Sequence, residues 1–263
     1  MKGISETIKN GEPLKDILII DSHCHMGASF GSTYIPDGSP RAIIKMMDKL
    51  GIDIACVSHH ASLGPGHNWG NDRIMEAALE YPGKFFIYCT INPFYAKEIR
   101  AELDRCFENK YTKGIKIHPH IHKRTMDYEN YIPVYEYAAE KRCPVLVHVY
   151  TTEEIRNMDK LAAEYPEAVF IMAHIGGEAA NMEKAIDVLN RHDNIYGDFA
   201  VSRTWEGNVE WLTAEVGSRK LLFGSDTPFF SPVPTVARIA MAEISEEDKR
   251  NIFGLNMKRI LSI

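Results

Sequence analysis

The chain has no apolar run near the roughly 20 residues that a membrane-spanning helix needs. Its first fifteen residues, MKGISETIKNGEPLK, lack the apolar stretch of a secretory signal. Basic charge is not in excess. Thirty Lys and Arg stand against 36 Asp and Glu, net −6, which leaves no electrostatic case for binding nucleic acid. Cysteine is sparse: Cys24, Cys56, Cys89, Cys106 and Cys143 are odd in number, widely spaced, and form no C-x-x-C, so no disulfide framework is indicated. Cys56 and Cys89 sit in apolar runs, where a reduced thiol packs as a small hydrophobe. The expectation is a soluble, reduced, cytoplasmic protein. Low-complexity tracts and domain-boundary signals are absent too. So is a glycine-rich phosphate turn after the first apolar run, where HCHMG (23–27) stands instead. That argues against a doubly wound nucleotide fold.

What is present is an alternation. Eight short apolar runs recur: ILIID (17–21), IACVSH (54–59), FFIYCTI (85–91), GIKIH (114–118), PVLVHV (144–149), AVFIMAH (168–174), NIYGDF (194–199) and KLLFGSD (220–226). Their near-continuous apolar character suits strands covered on both faces. Between them lie segments of helical spacing, such as Ile43, Ile44, Met47 and Leu50; Met75, Ala78 and Leu79; and Ala185, Ile186 and Leu189. Ser245 followed by Glu246, Glu247 and Asp248 predicts a capped, acidic helix start that opens a last helix through about Leu261. Eight strand–helix alternations in 263 residues predict one domain, residues 1–263, an α/β chain folded as a (β/α)8 barrel of the TIM type with a C-terminal helix.

The polar residues at the ends of these runs carry the chemistry. A strand alternates its faces with period two, so His23 and His25 of DSHCH point one way and Cys24 the other. Two imidazoles aimed at one point suit a metal ion. The second run ends in His59 and His60. The fourth carries Lys116 and His118, the fifth His148, the sixth His174 and the eighth Asp226. Seven of the eleven histidines thus stand at or near strand C-termini, which a barrel gathers at one mouth. A satisfied core or surface histidine explains any one of them but not the set, so a metal site is expected.

The chain at this point resembles the amidohydrolase superfamily. DSHCH matches its strand-1 D-x-H-x-H signature. VLVHV, MAHIGG and LLFGSDTPF match its strand-5 His, strand-6 His and strand-8 Asp; GIKIHP matches its strand-4 end and IFGLNMKRIL its last helix. The likeness spans residues 17 to 262, and its wording is most similar to the amidohydrolase-related branch that includes aminocarboxymuconate-semialdehyde decarboxylase. It implies that His23, His25, His148 and Asp226 bind a divalent metal, and that His174 contacts the reactive water. One ion is expected, zinc first, with manganese and iron suited by the same donors. A second ion enters only if Lys116 is carboxylated and bridging, as in binuclear relatives. The expectation here is a free Lys116 amine that reaches the substrate.

On this reading Asp226 is both ligand and proton carrier, and His174 holds the water or polarises the carbonyl oxygen. Asp21, of the same parity as His23 and His25 but one step deeper, is a candidate to fix the tautomer of a ligand histidine, or else a structural carboxylate. His60, Trp69, His118, Arg203, Trp205 and Phe229 lie in loops expected to reach the mouth. Lys116, His118, His60, Arg203 and Trp69 are the expected substrate contacts, Arg203 as a carboxylate clamp. HPHIHKR (118–124) reads as a solvated loop. The sequence thus predicts a metal-dependent hydrolase acting on an amide, lactone or similar carbonyl bond of a small molecule. The alternative on the same site is a non-oxidative decarboxylase of an unsaturated or aromatic acid, and a second class is a barrel that binds metal or ligand without turnover. No nucleic acid or membrane partner is expected, and homo-oligomerisation is left open.

Overall fold

A computed structural model describes residues 3–28, 34–200 and 204–263. Eight parallel strands, each hydrogen-bonded to the next, form one sheet: β1 Ile20–Met26, β2 Ile54–His59, β3 Phe85–Thr90, β4 Thr112–Ile117, β5 Pro144–His148, β6 Val169–Ala173, β7 Ile195–Asp198 and β8 Leu221–Leu222. Backbone bonds from Ser22 N to Phe223 O, Asp226 N to His23 O and His25 N to Thr227 O close the sheet into a barrel. The expected fold is borne out. Among the described residues no helix is long and apolar enough to cross a membrane.

Strand alternation sorts the core into two layers. Ile20, Cys56, Tyr88, Leu146, Ile171 and Leu222 fill the interior, where Met257 and Leu261 of the last helix join them. Val57, Ile87, Ile115, Val145, Val147, Phe170, Met172 and Phe223 face outward onto the helices. The same alternation turns Ser58, Lys116, His148 and Asp198 inward. All five cysteines are free and buried.

Local chemistry sets the helix ends. Ser39 caps the helix Pro40–Leu50 by accepting from Ala42 N, proline opens it, and Gly51 ends it at φ 83°. Thr151 and Glu154 form a capping box at the helix Thr152–Glu164. Ser245 caps the last helical region as expected. That region runs through a wider, π-type turn at Asn251–Leu255 before Asn256–Leu261. In the helix His67–Glu80 the buried face includes Ile74, Ala77 and Ala78, while Leu79 is 60% exposed, so the buried stripe lies one position earlier than the spacing predicts.

β8 is far shorter than the run 220–226 predicts. Its pairing with β7 ends at Leu222, because Phe223 gives its N–H to Ile252 O and the chain beyond turns its backbone bonds to β1; Asp226 follows in a left-handed conformation at φ 57°. Ser225 also spends its polar groups on the Asp21 carboxylate, N–H to Oδ1 at 3.0 Å and hydroxyl to Oδ2.

Candidate metal centre

β1 does not alternate cleanly. Asp21 pairs with Ala55 and Cys24 with Val57, so β1 holds one residue more than β2 over that interval, a β-bulge. Ile20 faces the interior, Cys24 and Met26 face the helices, and His23 and His25 are both turned inward. Their Nε2 atoms lie 3.1 Å apart. Asp226 brings Oδ1 to 3.0 Å from His25 Nε2 and 3.5 Å from His23 Nε2. These three side chains are buried, and their donor atoms lie within 4.8 Å of one another.

The bulge explains why Asp21 does not fix a ligand tautomer, the first of its two expected roles. Its carboxylate takes the backbone N–H of His23 at 3.1 Å and both polar hydrogens of Ser225, a clamp across the barrel seam. Asp198, on β7, is the carboxylate that faces a His23 ring nitrogen instead. Its Oδ2 lies 2.9 Å from His23 Nδ1, while Oδ1 accepts from His174 N at 2.8 Å and Ala200 N at 3.1 Å. Gly224 makes room for the pair: a Cβ there would stand 3.1 Å from both Asp198 Cγ and His23 Cβ. On β2, Ser58 Oγ meets His25 Nδ1 at 2.8 Å.

This arrangement fits a cation. With Asp198 ionised, its Oδ2 only accepts, so His23 Nδ1 carries the hydrogen and Nε2 presents a lone pair. His25 Nε2 carries at most one hydrogen, which satisfies His23 Nε2 or Asp226 Oδ1 but not both. Acceptors therefore converge with too few hydrogens between them, and a divalent ion supplies the missing charge. Burial, helped by the Lys116 amine, keeps His23 and His25 neutral, the ligating form.

His148 stands outside this tight group. His174 directs Nδ1 at the Ala200 carbonyl, so that nitrogen carries the hydrogen. His174 Nε2 must then accept from His148 Nδ1, 3.0 Å away, and the bare nitrogen of His148 is Nε2. His148, the expected fourth ligand, thus has the same tautomer as His23, tied back through Nδ1. His174 can orient a proton donor but, so held, cannot donate to a carbonyl oxygen. Its φ of 67° and that of Ile175 at 39° mark a strained strand end.

Lys116 lies on the interior face of β4, 1% exposed. Burial pushes its amine down to about 8, against the pull of Asp226 and Asp198. Burial likewise pushes the carboxyls of Asp21 and Asp198 up to about 7 and raises that of Asp226. A bound cation would favour the ionised form of Asp226.

The expected substrate contacts divide. His60 stacks on His25 at 4.6 Å and meets Phe229 at 4.4 Å, so both belong to the centre's wall. His118 stacks on His148 at 4.0 Å, with Tyr150 on His148 at 5.1 Å. Trp69 is not in a loop. It rides on the helix His67–Glu80, 55% exposed, edge-on to His59. There it lines a cavity of about 450 Å³ whose described walls include none of the donor residues. Trp205 packs on Trp211. Arg203 lies outside the described residues. His122, read as part of a solvated loop, is buried between Tyr131 Oη and the Leu63 carbonyl.

Two further donor clusters lie among the described residues: His23, His174 and Asp198, which adjoins this centre, and Cys89, Glu102 and Cys106, which is a structural network. Arg105 holds both oxygens of Glu102 at 2.8 Å, and Asn71 adds a bond of 2.7 Å, so a guanidinium already supplies the charge an ion would bring.

The profile of the amidohydrolase family matches residues 20–263. No curated protein matches the chain. Among solved structures, a 2,6-dihydroxybenzoate decarboxylase complexed with 2,6-dihydroxybenzoate is similar at 15% identity and TM-score 0.76, over 95% of this chain and 99% of that one. A 5-carboxyvanillate decarboxylase from Novosphingobium aromaticivorans, complexed with manganese and 4-hydroxy-3-methoxy-5-nitrobenzoic acid, is similar at 16% and 0.74, over 95% and 97%. A 4-oxalomesaconate hydratase from Rhodopseudomonas palustris is similar at 18% and 0.72, over 93% and 96%. At these identities the likeness shows a shared fold.

Proposed function

Since the chain belongs to the amidohydrolase family, we propose that it is a metal-dependent hydrolase that cleaves an amide, lactone or similar carbonyl bond of a small molecule. The observation that carries this reading is the convergence of His23 Nε2, His25 Nε2 and Asp226 Oδ1 at the barrel mouth, with each imidazole held from behind through Nδ1. His23, His25 and Asp226 hold one divalent ion in this reading, and His148 joins them through its free Nε2. Zinc suits the set, and so do manganese and iron.

A bound ion of this kind supplies acidity, bringing the pKa of a water from about 15.7 to about 7. Asp226 takes the proton on its carboxylate and returns it to the leaving group. His174, its Nδ1–H committed to Ala200, orients the proton donor that faces its Nε2. Lys116 offers a cationic partner to a substrate oxygen from the interior face of β4. His60 and Phe229 wall the site beside His25 and limit water there, and His118 supports the ring of His148. Arg203 is retained as a candidate carboxylate clamp, and Trp69 as an outer contact.

A second reading, decarboxylation of an unsaturated or aromatic acid, is favoured by one observation: two of the three similar structures described above are named decarboxylases. The two readings share ligands and differ in whether a carbonyl is attacked or a carbon protonated. The purified protein, supplied with Zn²⁺ or Mn²⁺, is to be run on a panel of esters, lactones, amides and aromatic carboxylic acids, with product and CO₂ measured together. Carbonyl cleavage without CO₂ is the expected result. CO₂ release from the acids would replace the first reading by the second, and a metal-loaded protein inert on the whole panel would favour a binding barrel.

A further inference from the structure

We propose that Asp198 is a positioning residue that decides which nitrogen of His23 faces the ion, and that its two oxygens have duties that cannot be exchanged. The proposal rests on the metal reading above. Asp198 is wholly buried. Its Oδ1 serves two backbone donors, His174 N and Ala200 N, and its Oδ2 serves one imidazole nitrogen, His23 Nδ1.

Backbone N–H groups can only donate. Whatever stands at position 198 must therefore keep an acceptor on the Oδ1 side. An asparagine there has its orientation dictated: oxygen toward His174 N and Ala200 N, amino group toward His23 Nδ1. That amino group donates, so Nδ1 must accept, and the hydrogen of a neutral His23 moves to Nε2. Nε2 then presents N–H where the ion needs a lone pair. A near-isosteric substitution that keeps both backbone bonds thus inverts a metal ligand.

Asp21 is a built-in control. It is equally buried, and its Oδ1 also takes two backbone N–H groups, from His23 and Ser225. Its Oδ2, however, faces the Ser225 hydroxyl, which also lies 2.9 Å from Thr227 Oγ1. In Asp21→Asn that hydroxyl turns, accepts from the new amino group and donates to Thr227. The same charge is removed at the same depth, and no imidazole is inverted.

The test compares wild type, Asp198→Asn and Asp21→Asn. The tautomer of His23 is read by ¹⁵N NMR of the metal-free, histidine-labelled proteins, Zn²⁺ affinity by competition with a chromophoric chelator, and folding by thermal melts. At alkaline pH, with Asp198 ionised, the expected result is Nδ1–H at His23 in wild type and Asp21→Asn, and Nε2–H in Asp198→Asn. Zn²⁺ affinity is expected to fall roughly 10–100-fold in Asp198→Asn, the usual effect of losing a partner behind a ligand, and to stay near wild type in Asp21→Asn. Wild-type affinity with Nδ1–H in Asp198→Asn would overturn the proposal, as would equal losses in both variants. So would Nε2–H at His23 in the wild type, a reading that needs no variant to fold. A wild type that binds no Zn²⁺ would sink the metal reading instead, while the tautomer comparison would still decide the role of Asp198.

Discussion

Asp226 can be perturbed in two ways that separate backbone from chemistry. Its φ of 57° is a conformation that Asn and Asp adopt readily and that costs other L-residues roughly 1–2 kcal/mol. Asp226→Asn keeps the shape and an oxygen near His25 Nε2, so the fold should persist. Asp226→Ala loses the polar group and adds backbone strain. For a chain of this size about 1 kcal/mol shifts a melt by about 2–4 °C. Metal-free Asp226→Ala should therefore melt about 2–8 °C below metal-free Asp226→Asn.

A second term has a definite sign. Burial raises the Asp226 carboxyl in the folded protein above its unfolded value. Its contribution to metal-free stability is thus fully present below the unfolded pKa and is lost as pH rises through the folded one. Above the folded pKa the metal-free wild type carries that penalty and Asp226→Asn does not, so the variant should melt at or above wild type there. Loaded with metal, Asp226→Asn should lose about 10²–10⁴-fold in kcat, the range for a lost general base, and the acidic limb of its pH–rate profile should flatten. Differential scanning calorimetry, elemental analysis and steady-state kinetics on a substrate from the panel read the three effects. Equal melting of the Ala and Asn variants would refute the backbone argument. Near-wild-type kcat in a metal-loaded Asn variant would mean that the proton travels elsewhere, with His174 the next group to examine.

Other expectations are simpler to check. Lys116→Gln should raise KM more than it lowers metal content, and metal should stay near one per chain with or without bicarbonate; a carbamate between two ions would contradict the free amine. Because burial holds the Lys116 amine down to about 8 in the metal-free protein and a bound cation lowers it further, kcat/KM should fall as pH rises toward 8 and this limb should vanish in Lys116→Gln. Gly224→Ala places a methyl 3.1 Å from both Asp198 and His23. Thermal melts should show the roughly 1–3 kcal/mol of overpacking, and chelator competition a weakened ion. An unchanged affinity would mean that the pair tolerates displacement.

The barrel was legible because its strands are short, apolar and evenly spaced, and because residues at strand ends converge whatever their distance in sequence. His23, His25 and Asp226 stand out by that rule, and their part as ligands is what the family resemblance implies. Asp198 escapes notice although the rule applies to it: it stands next to last in NIYGDF, an otherwise mainly apolar run, and ends β7 on its interior face. Asp21 drew attention instead, because strict alternation gives it the parity of His23. The bulge in β1 breaks that parity, and nothing in IIDSHCH announces an extra residue. The early end of β8 is equally hidden, since it depends on Phe223 giving its N–H to Ile252 O and on bonds across the barrel seam to β1, which no local pattern signals. Trp69 was misplaced because the helix His67–Glu80 begins on His67-Asn68-Trp69-Gly70 without a side-chain cap, so its start reads as loop.

The account stands on His23, His25 and Asp226 holding an ion, and metal stoichiometry tests that most directly. Wild type, His23→Ala and His25→Ala are to be reconstituted with Zn²⁺, dialysed against metal-free buffer and analysed for metal per chain, with circular dichroism confirming the barrel. The account predicts close to one ion in wild type and almost none in either variant, all three folded. Full occupancy in both variants, or a folded wild type that retains no ion, would contradict it.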